Sequence, residues 1–167
     1  LFGEEAEQNV KKAIELKYSL IPYIYTYARE AHDAGLPIMR PMFLEYPYDM
    51  ETLDTDAQFM FGKELLIAPV VKKNAKTKNL YLLNYNDKRT LYSGEQWLTV
   101  DAPLSCIPMF VKQGSIIPTM PVMNYIGEHP EYPVIFEVFP AVEGQSASFL
   151  LYEDEGTDLG YLKDEFL

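Results

Sequence analysis

The run Gly35-Leu36-Pro37-Ile38-Met39-Arg40-Pro41-Met42-Phe43-Leu44-Glu45-Tyr46-Pro47 is where one side-chain rhythm stops and another begins. Upstream of it, Val10, Ile14, Ile21, Ile24, Ala28 and Ala31 recur at three, four or seven positions, the period of one face of an α-helix. That spacing predicts a single long helix over residues 5–34. Leu16, Leu20 and Tyr18, Tyr23, Tyr25 and Tyr27 widen its apolar face, so the helix needs partners on more than one side. Pro22 removes a backbone donor and predicts a kink near residues 18–22. Gly35 supplies a left-handed cap, and Pro37 prevents the helix from resuming.

Downstream the pattern becomes that of short strands, expected at residues 38–44, 65–71, 80–83, 90–92, 97–100, 109–112, 134–139, 146–152 and 160–166. Asn84-Tyr85-Asn86-Asp87, Ser93-Gly94-Glu95, Gln113-Gly114-Ser115 and Glu143-Gly144-Gln145 carry turn chemistry between them. Strands of this length, broken by turns roughly every ten residues, predict a mainly β chain: an antiparallel β-sandwich preceded by the N-terminal helix. Pro118, Pro121, Pro130 and Pro133 mark residues 119–133 as a seam before a second, smaller unit. Three segments follow: a helical segment 1–36, a sandwich 37–120, and a linker with further strands 121–167.

Composition bounds the function. The chain has 167 residues, 48% of them hydrophobic and 23% charged, enough for an ordinary globular core. A net charge of −11 opposes binding to a polyanion, and the one basic cluster, residues 72–78, reads as a solvated hairpin loop, so nucleic acid is excluded as the main partner. No apolar run approaches the ~20 residues of a membrane span. Cys106 stands alone, so no disulfide can form within the chain and the compartment stays open. The first residue is Leu1 and not methionine, which suggests a piece of a longer protein.

Several motifs in order resemble glycoside hydrolase family 31. They are L-K-Y-S-L-I-P-Y-I-Y at residues 16–25, G-L-P-I-M-R-P-M-F at 35–43, E-Y-P-Y-D at 45–49, A-Q-F-M-F-G at 57–62 and L-L-I-A-P-V at 65–70. A-P-L-S-C-I-P-M-F-V-K-Q-G-S-I-I-P at 102–118 and L-Y-E-D-E-G-T at 151–157 complete the series. Two departures are Lys112, where many members have arginine, and residues 82–93, which lack the usual Y-L-P-x-G-x-W-Y hairpin. The resemblance implies that residues 1–36 close a (β/α)8 barrel, that 37–120 form the proximal C-terminal sandwich, and that 121–167 begin a distal one. It implies a parent α-glucosidase, hydrolysing terminal α-linked glucose with retention by two acidic side chains. In the family both acids lie on barrel loops upstream, and no position here matches either. No residue is therefore assigned to catalysis, to a cofactor or to a metal. The implied partners are the parent's barrel and, through it, an α-linked oligosaccharide. The alternative is a stand-alone carbohydrate-binding or interaction module.

The residues read the same way without the resemblance. A retaining glycosidase needs two carboxyl groups ~5 Å apart, one with a raised pKa. The acids here gather in polar loops, Asp49, Glu51, Asp54 and Asp56, then Glu153, Asp154 and Glu155, and read as solvated turns and caps ahead of calcium or sugar ligands. Neither His32 nor His129 has a second ligand at metal spacing. Trp97 and the tyrosines could stack on a sugar but read first as core or interface residues. Arg40, in an apolar strand, requires an acceptor, with Glu45 or Asp49 as candidates. The helix face, without a barrel to cover it, is expected to drive dimerisation or a non-native packing.

Overall fold

The computed structural model describes residues 2–55, 57–83, 85–86, 91–92, 94–141, 143–144, 146–156 and 159–163. In chain order the elements are α1 (Glu4–Ser19), α2 (Ile21–Ala34), β1 (Met39–Arg40), α3 (Met42–Glu45), a 3-10 turn (Met50–Asp54), β2 (Phe59–Phe61), β3 (Leu65–Ile67) and β4 (Thr77–Leu82). There follow β5 (Tyr85–Asn86), β6 (Leu91–Tyr92), β7 (Gln96–Asp101), β8 (Met109–Lys112), β9 (Ile116–Thr119), β10 (Ile135–Val138) and a 3-10 turn (Gly160–Lys163). The chain is mainly β and antiparallel with an N-terminal helical segment, as expected.

Two compact units divide it: one from Leu1–Pro37, Ile116–Glu137 and Ser148–Leu167, the other from Ile38–Ser115 and Val138–Ala147. In the first unit the expected single helix is two. The helix breaks at Leu20, so Pro22 falls in the first turn of α2. There its missing N–H would have had no partner in any case. Gly35 ends α2 at φ 70°, its N–H donating to the Ala31 carbonyl at 3.0 Å. Only a residue without a Cβ adopts that backbone freely.

The two helices also differ in burial. Tyr23 and Tyr27 of α2 are buried, their ring centroids 4.8 Å apart, and Phe149 stacks on Tyr23 at 5.9 Å. No residue of α1 is buried, and Val10 and Ile14 stand 57% and 50% exposed. Val10 and Ile14 keep the apolar period along α1, but periodicity marks a face without saying what covers it. β9 packs on α2 and pairs with β10, and the Met120 N–H donates to the Ser19 carbonyl at 2.9 Å.

The second unit holds the main sheet, in the order β1-β2-β3-β8-β5-β6, and a ribbon of β4 with β7. Phe59 pairs with Ile67, Leu66 with Phe110, and Tyr85 with Lys112, all antiparallel. In the ribbon Tyr81 faces Trp97 and Asn79 faces Thr99. The core cluster takes Met60, Leu66 and Phe110 from the sheet, Leu80, Tyr81 and Leu82 from the ribbon, and Met42 from α3. Side chains from two antiparallel layers interleave around one core, the sandwich arrangement. Each such aliphatic side chain contributes roughly 1.5–3 kcal/mol on burial.

Some strand expectations are corrected. Residues 38–44 are not one strand: Pro41 cannot donate to a ladder, and the chain turns there into α3. The strand expected at 65–71 is trimmed to Leu65–Ile67 just ahead of Ala68-Pro69. Residues 146–152 form no ladder, and residues 160–163 are a 3-10 turn, with 164–166 outside the described residues. Thr90 and the turn residues Asn84, Asp87, Ser93 and Gln145 also lie outside them. Strands β2, β5 and β9 were not expected, and β5 (Tyr85–Asn86) lies within a stretch read as a turn. Phe59-Met60-Phe61 is too short for a period, and Ile116–Thr119 runs into the proline-marked seam.

Candidate functional site

Two constellations of polar and aromatic side chains stand out, one in each unit. In the first unit, Tyr25 of α2 donates its hydroxyl to Asp154 Oδ1 at 2.6 Å, and Tyr152 donates to Asp154 Oδ2 at 2.5 Å. The Gly156 N–H adds a third donor at 2.8 Å. Arg29 lies 5.0 Å over the Tyr152 ring and forms an ion pair with Asp33 at 2.6 Å. The Tyr152 N–H donates to Thr26 Oγ1 at 3.1 Å, so α2 holds this segment through both backbone and side chains.

The electrostatics follow from those contacts. The Tyr152 and Tyr25 hydroxyls hold the Asp154 carboxyl below its ordinary range, with Gly156 adding to the effect. The Tyr25 hydroxyl is pushed up to about 12, first by its bond to Asp154 and then by burial. Arg29, then His32, lowers Asp33, and the Asn124 backbone N–H lowers Glu128. Among the described residues, the shifted carboxyl groups are all lowered, the direction opposite to that of a general acid.

Beside this cluster lies a cleft of about 790 Å³ lined by Ile21, Tyr25, Met123, Tyr132, Glu153 and Asp154, among others. Its volume is that of a small-molecule pocket. Its principal polar groups, however, are already bonded to one another across α2 and residues 152–156, which is the chemistry of a brace. His129, on the same cleft, stacks on Tyr132 at 4.4 Å and lies 3.3 Å from Glu131. His32 sits in the last turn of α2 with Nδ1 2.9 Å from Asp33.

In the second unit the acidic loop is built on the 3-10 turn. Asp49 caps it, with Oδ1 accepting from the Glu51 N–H at 3.1 Å and Oδ2 from the Tyr81 hydroxyl at 2.8 Å. Burial, then the bond to Asp49, raises the pKa of the Tyr81 hydroxyl. Glu51 accepts the Trp97 indole N–H at 2.8 Å. Asp49 thus acts as a cap and Glu51 as an anchor for Trp97; Asp56 lies outside the described residues. Arg40 is 1% exposed and pairs with Glu45, one of its two expected partners. No group of three or more His, Cys, Asp or Glu able to hold a metal occurs among the described residues. Nor is any helix among them long and apolar enough to cross a membrane.

The sequence had named Tyr25, Asp154, Trp97 and Glu51 but not their pairing. Tyr25 and Asp154 are 129 positions apart, and no local spacing signals that contact.

Comparison with known proteins gives a consistent picture. Residues 35–117 match the profile of the glycosyl hydrolase family 31 C-terminal domain. A 1,6-alpha-glucosyltransferase of Sporosarcina globispora is 36% identical over 96% of this chain and 13% of its own length. Alpha-glucosidase 2 of Bacillus thermoamyloliquefaciens is 35% identical over 99% of this chain and 21% of its own. A family 31 dextranase of Flavobacterium johnsoniae, solved with isomaltotriose, superposes with a TM-score of 0.94 at 57% identity, covering 99% of this chain and 21% of that one. The chain thus spans about a fifth or less of the length of these relatives.

Proposed function

Because this chain belongs to glycoside hydrolase family 31, matching the C-terminal domain of that family, we propose that it is the non-catalytic C-terminal portion of an α-glucosidase-like enzyme. The parent hydrolyses terminal α-linked glucose with retention of configuration, through two acids outside these residues. Residues 1–36 close its barrel, residues 37–120 form the proximal sandwich, and residues 121–167 lead into a distal unit. The observation that carries this reading is the dextranase similarity, which runs through 99% of this chain but only 21% of that enzyme.

Two features support a bracing role. The apolar side chains Val10, Ile14 and Leu16 of α1 are exposed and suit a helix packed on a barrel. The Tyr25–Asp154–Tyr152 cluster ties α2 to a segment more than a hundred residues later. Among α-linked glucans the parent prefers 1,6-linkages, since the dextranase and the 1,6-alpha-glucosyltransferase are both relatives.

The test is to express the whole protein and follow isomaltotriose hydrolysis by proton NMR. Release of α-glucose as the first-formed anomer is expected. β-Glucose formed first would refute retention, and an absence of turnover on isomaltotriose and on an aryl α-glucoside would refute the reading as a whole.

A further inference from the structure

The β4–β7 ribbon carries a half-exposed tryptophan, Trp97, opposite the buried Tyr81. Along β7, Leu98 and Val100 turn toward the core while Trp97, Thr99 and Asp101 face out. Trp97 is 50% exposed, although large aromatic side chains usually gain by burial. Its ring is held from two directions. The indole N–H donates to Glu51 at 2.8 Å, and the buried Tyr81 ring lies 5.4 Å away at 45°, itself tied to Asp49. One side of the indole is thereby supported, and its position is set before any ligand arrives. One ladder step along, about 6.7 Å, exposed Thr99 donates to Asn79 Oδ1 at 2.7 Å. The Asn79 amide carries two N–H donors, and the Thr99 oxygen retains acceptor lone pairs.

We propose that Trp97, with Glu51 at its edge and the Asn79–Thr99 pair beside it, forms a surface binding site for a neutral α-glucan, separate from the parent's catalytic centre. The C–H face of a pyranose is weakly positive and packs on the negative face of an indole. Hydroxyl groups at the rim of the same sugar need acceptors near the plane of the ring, and Glu51 supplies a carboxylate there. A neighbouring sugar unit meets Asn79 and Thr99, which exchange hydrogen bonds with hydroxyls in both directions. The carboxylates Asp49 and Glu51 and the net charge of −11 oppose an anionic ligand, whereas a neutral polyol is unaffected. The choice of α-glucan among neutral sugars rests on the function proposed above. Such a site keeps a polymer on the enzyme between cleavage events and lowers the apparent KM for long substrates only.

The experiment uses the whole protein carrying this chain, with soluble dextran as the probe. Native gels cast with increasing dextran give a Kd from retardation, and an aryl α-glucoside reports the catalytic centre independently. W97A is expected to weaken dextran binding about tenfold, N79A less, and W97F to retain a large part of it. Hydrolysis of the aryl glucoside should stay at the wild-type value in all three variants. Wild-type protein that dextran does not retard, or W97A retarded as strongly as wild type, would overturn the proposal. So would a parallel fall in aryl-glucoside hydrolysis and thermal midpoint in W97A, which would make Trp97 a packing residue against another part of the protein. Retardation dependent on Trp97 in a protein without α-glucosidase activity would refute the parent's proposed function and leave this site standing.

Discussion

Gln58 and Tyr81, 23 positions apart, are joined by a pair of hydrogen bonds: the Gln58 amide donates to the Tyr81 carbonyl at 2.9 Å and accepts the Tyr81 N–H at 2.8 Å. Gln58 is buried immediately before β2, and Tyr81 lies in β4, so one side chain serves as a strand partner that β4 would otherwise lack at that position. A buried backbone N–H or C=O left unpaired costs about 1–3 kcal/mol. Q58A leaves both without a partner and is expected to destabilise the second unit by about 3 kcal/mol. Urea unfolding followed by tryptophan fluorescence measures it, since Trp97 is the single tryptophan of the chain and stands opposite Tyr81. A loss under about 1 kcal/mol would mean that water replaces the amide.

Arg40 and Glu45, five positions apart, make a second constraint on the same unit. The Arg40 side chain is fully buried and that of Glu45 is 20% exposed, so removing the acid takes an ion-pair partner from the more deeply buried group. E45A is expected to cost about 3 kcal/mol, the lower end for breaking a buried pair. E45Q keeps an acceptor and costs about half as much. Equal denaturation midpoints for E45Q and E45A would show that charge, and not hydrogen bonding, is what Arg40 requires.

The cluster around Asp154 predicts a pH dependence with two limbs. The folded-state pKa of Asp154 is lowered, so its contribution is fully present above the ordinary carboxylate value of ~3.9 and is lost as pH falls through the lower folded value. Tyr25 is raised to about 12, so its contribution is complete below its unperturbed value of ~10 and is lost as pH rises through the folded value. D154N should flatten the acid limb of the thermal midpoint against pH. It should also move the tyrosinate absorbance titration of Tyr25 down toward ~10. An unchanged titration in D154N would refute the assignment of the shift to this carboxylate.

At Gly35 a Cβ would meet no atom within 4 Å, so G35A tests backbone conformation alone. The φ of 70° predicts a loss of about 1 kcal/mol from the strain of a non-glycine residue there. G35N should recover part of it, because asparagine tolerates the left-handed region better than alanine. Thermal midpoints of G35A and G35N relative to wild type measure both.

What the sequence disclosed about this molecule was local or periodic. The Gly35 cap, a helix disturbed near Pro22, the strand at 97–100 and the need of Arg40 for an acceptor all follow from single residues or short spacings, and the structure carries each of them, the disturbance as a full break. Contacts set by topology were not legible. Nothing near Gln58 announces a backbone twenty-three residues on, and nothing in Leu151-Tyr152-Glu153-Asp154 indicates that Tyr25 closes on it. The extended stretch at 146–152 was read as a strand because its residues have β propensity, but a ladder needs a partner as well as a propensity. Tyr23 and Tyr27 are packing residues as expected, whereas Trp97, read as a core or interface residue, is not in the core and stands half-exposed on the ribbon.

The central claim is that these residues brace and position a catalytic centre that they do not contain. A carboxylate scan of the whole protein tests it most directly, with D49N, E51Q, E153Q, D154N and E155Q assayed one at a time on an aryl α-glucoside under conditions where each variant is folded. Every variant is expected to retain kcat within about twofold of wild type, because none of these groups acts as nucleophile or general acid. Loss of about a thousandfold or more in kcat for any one of them, with the fold intact by circular dichroism, would place a catalytic acid within this chain and contradict the account.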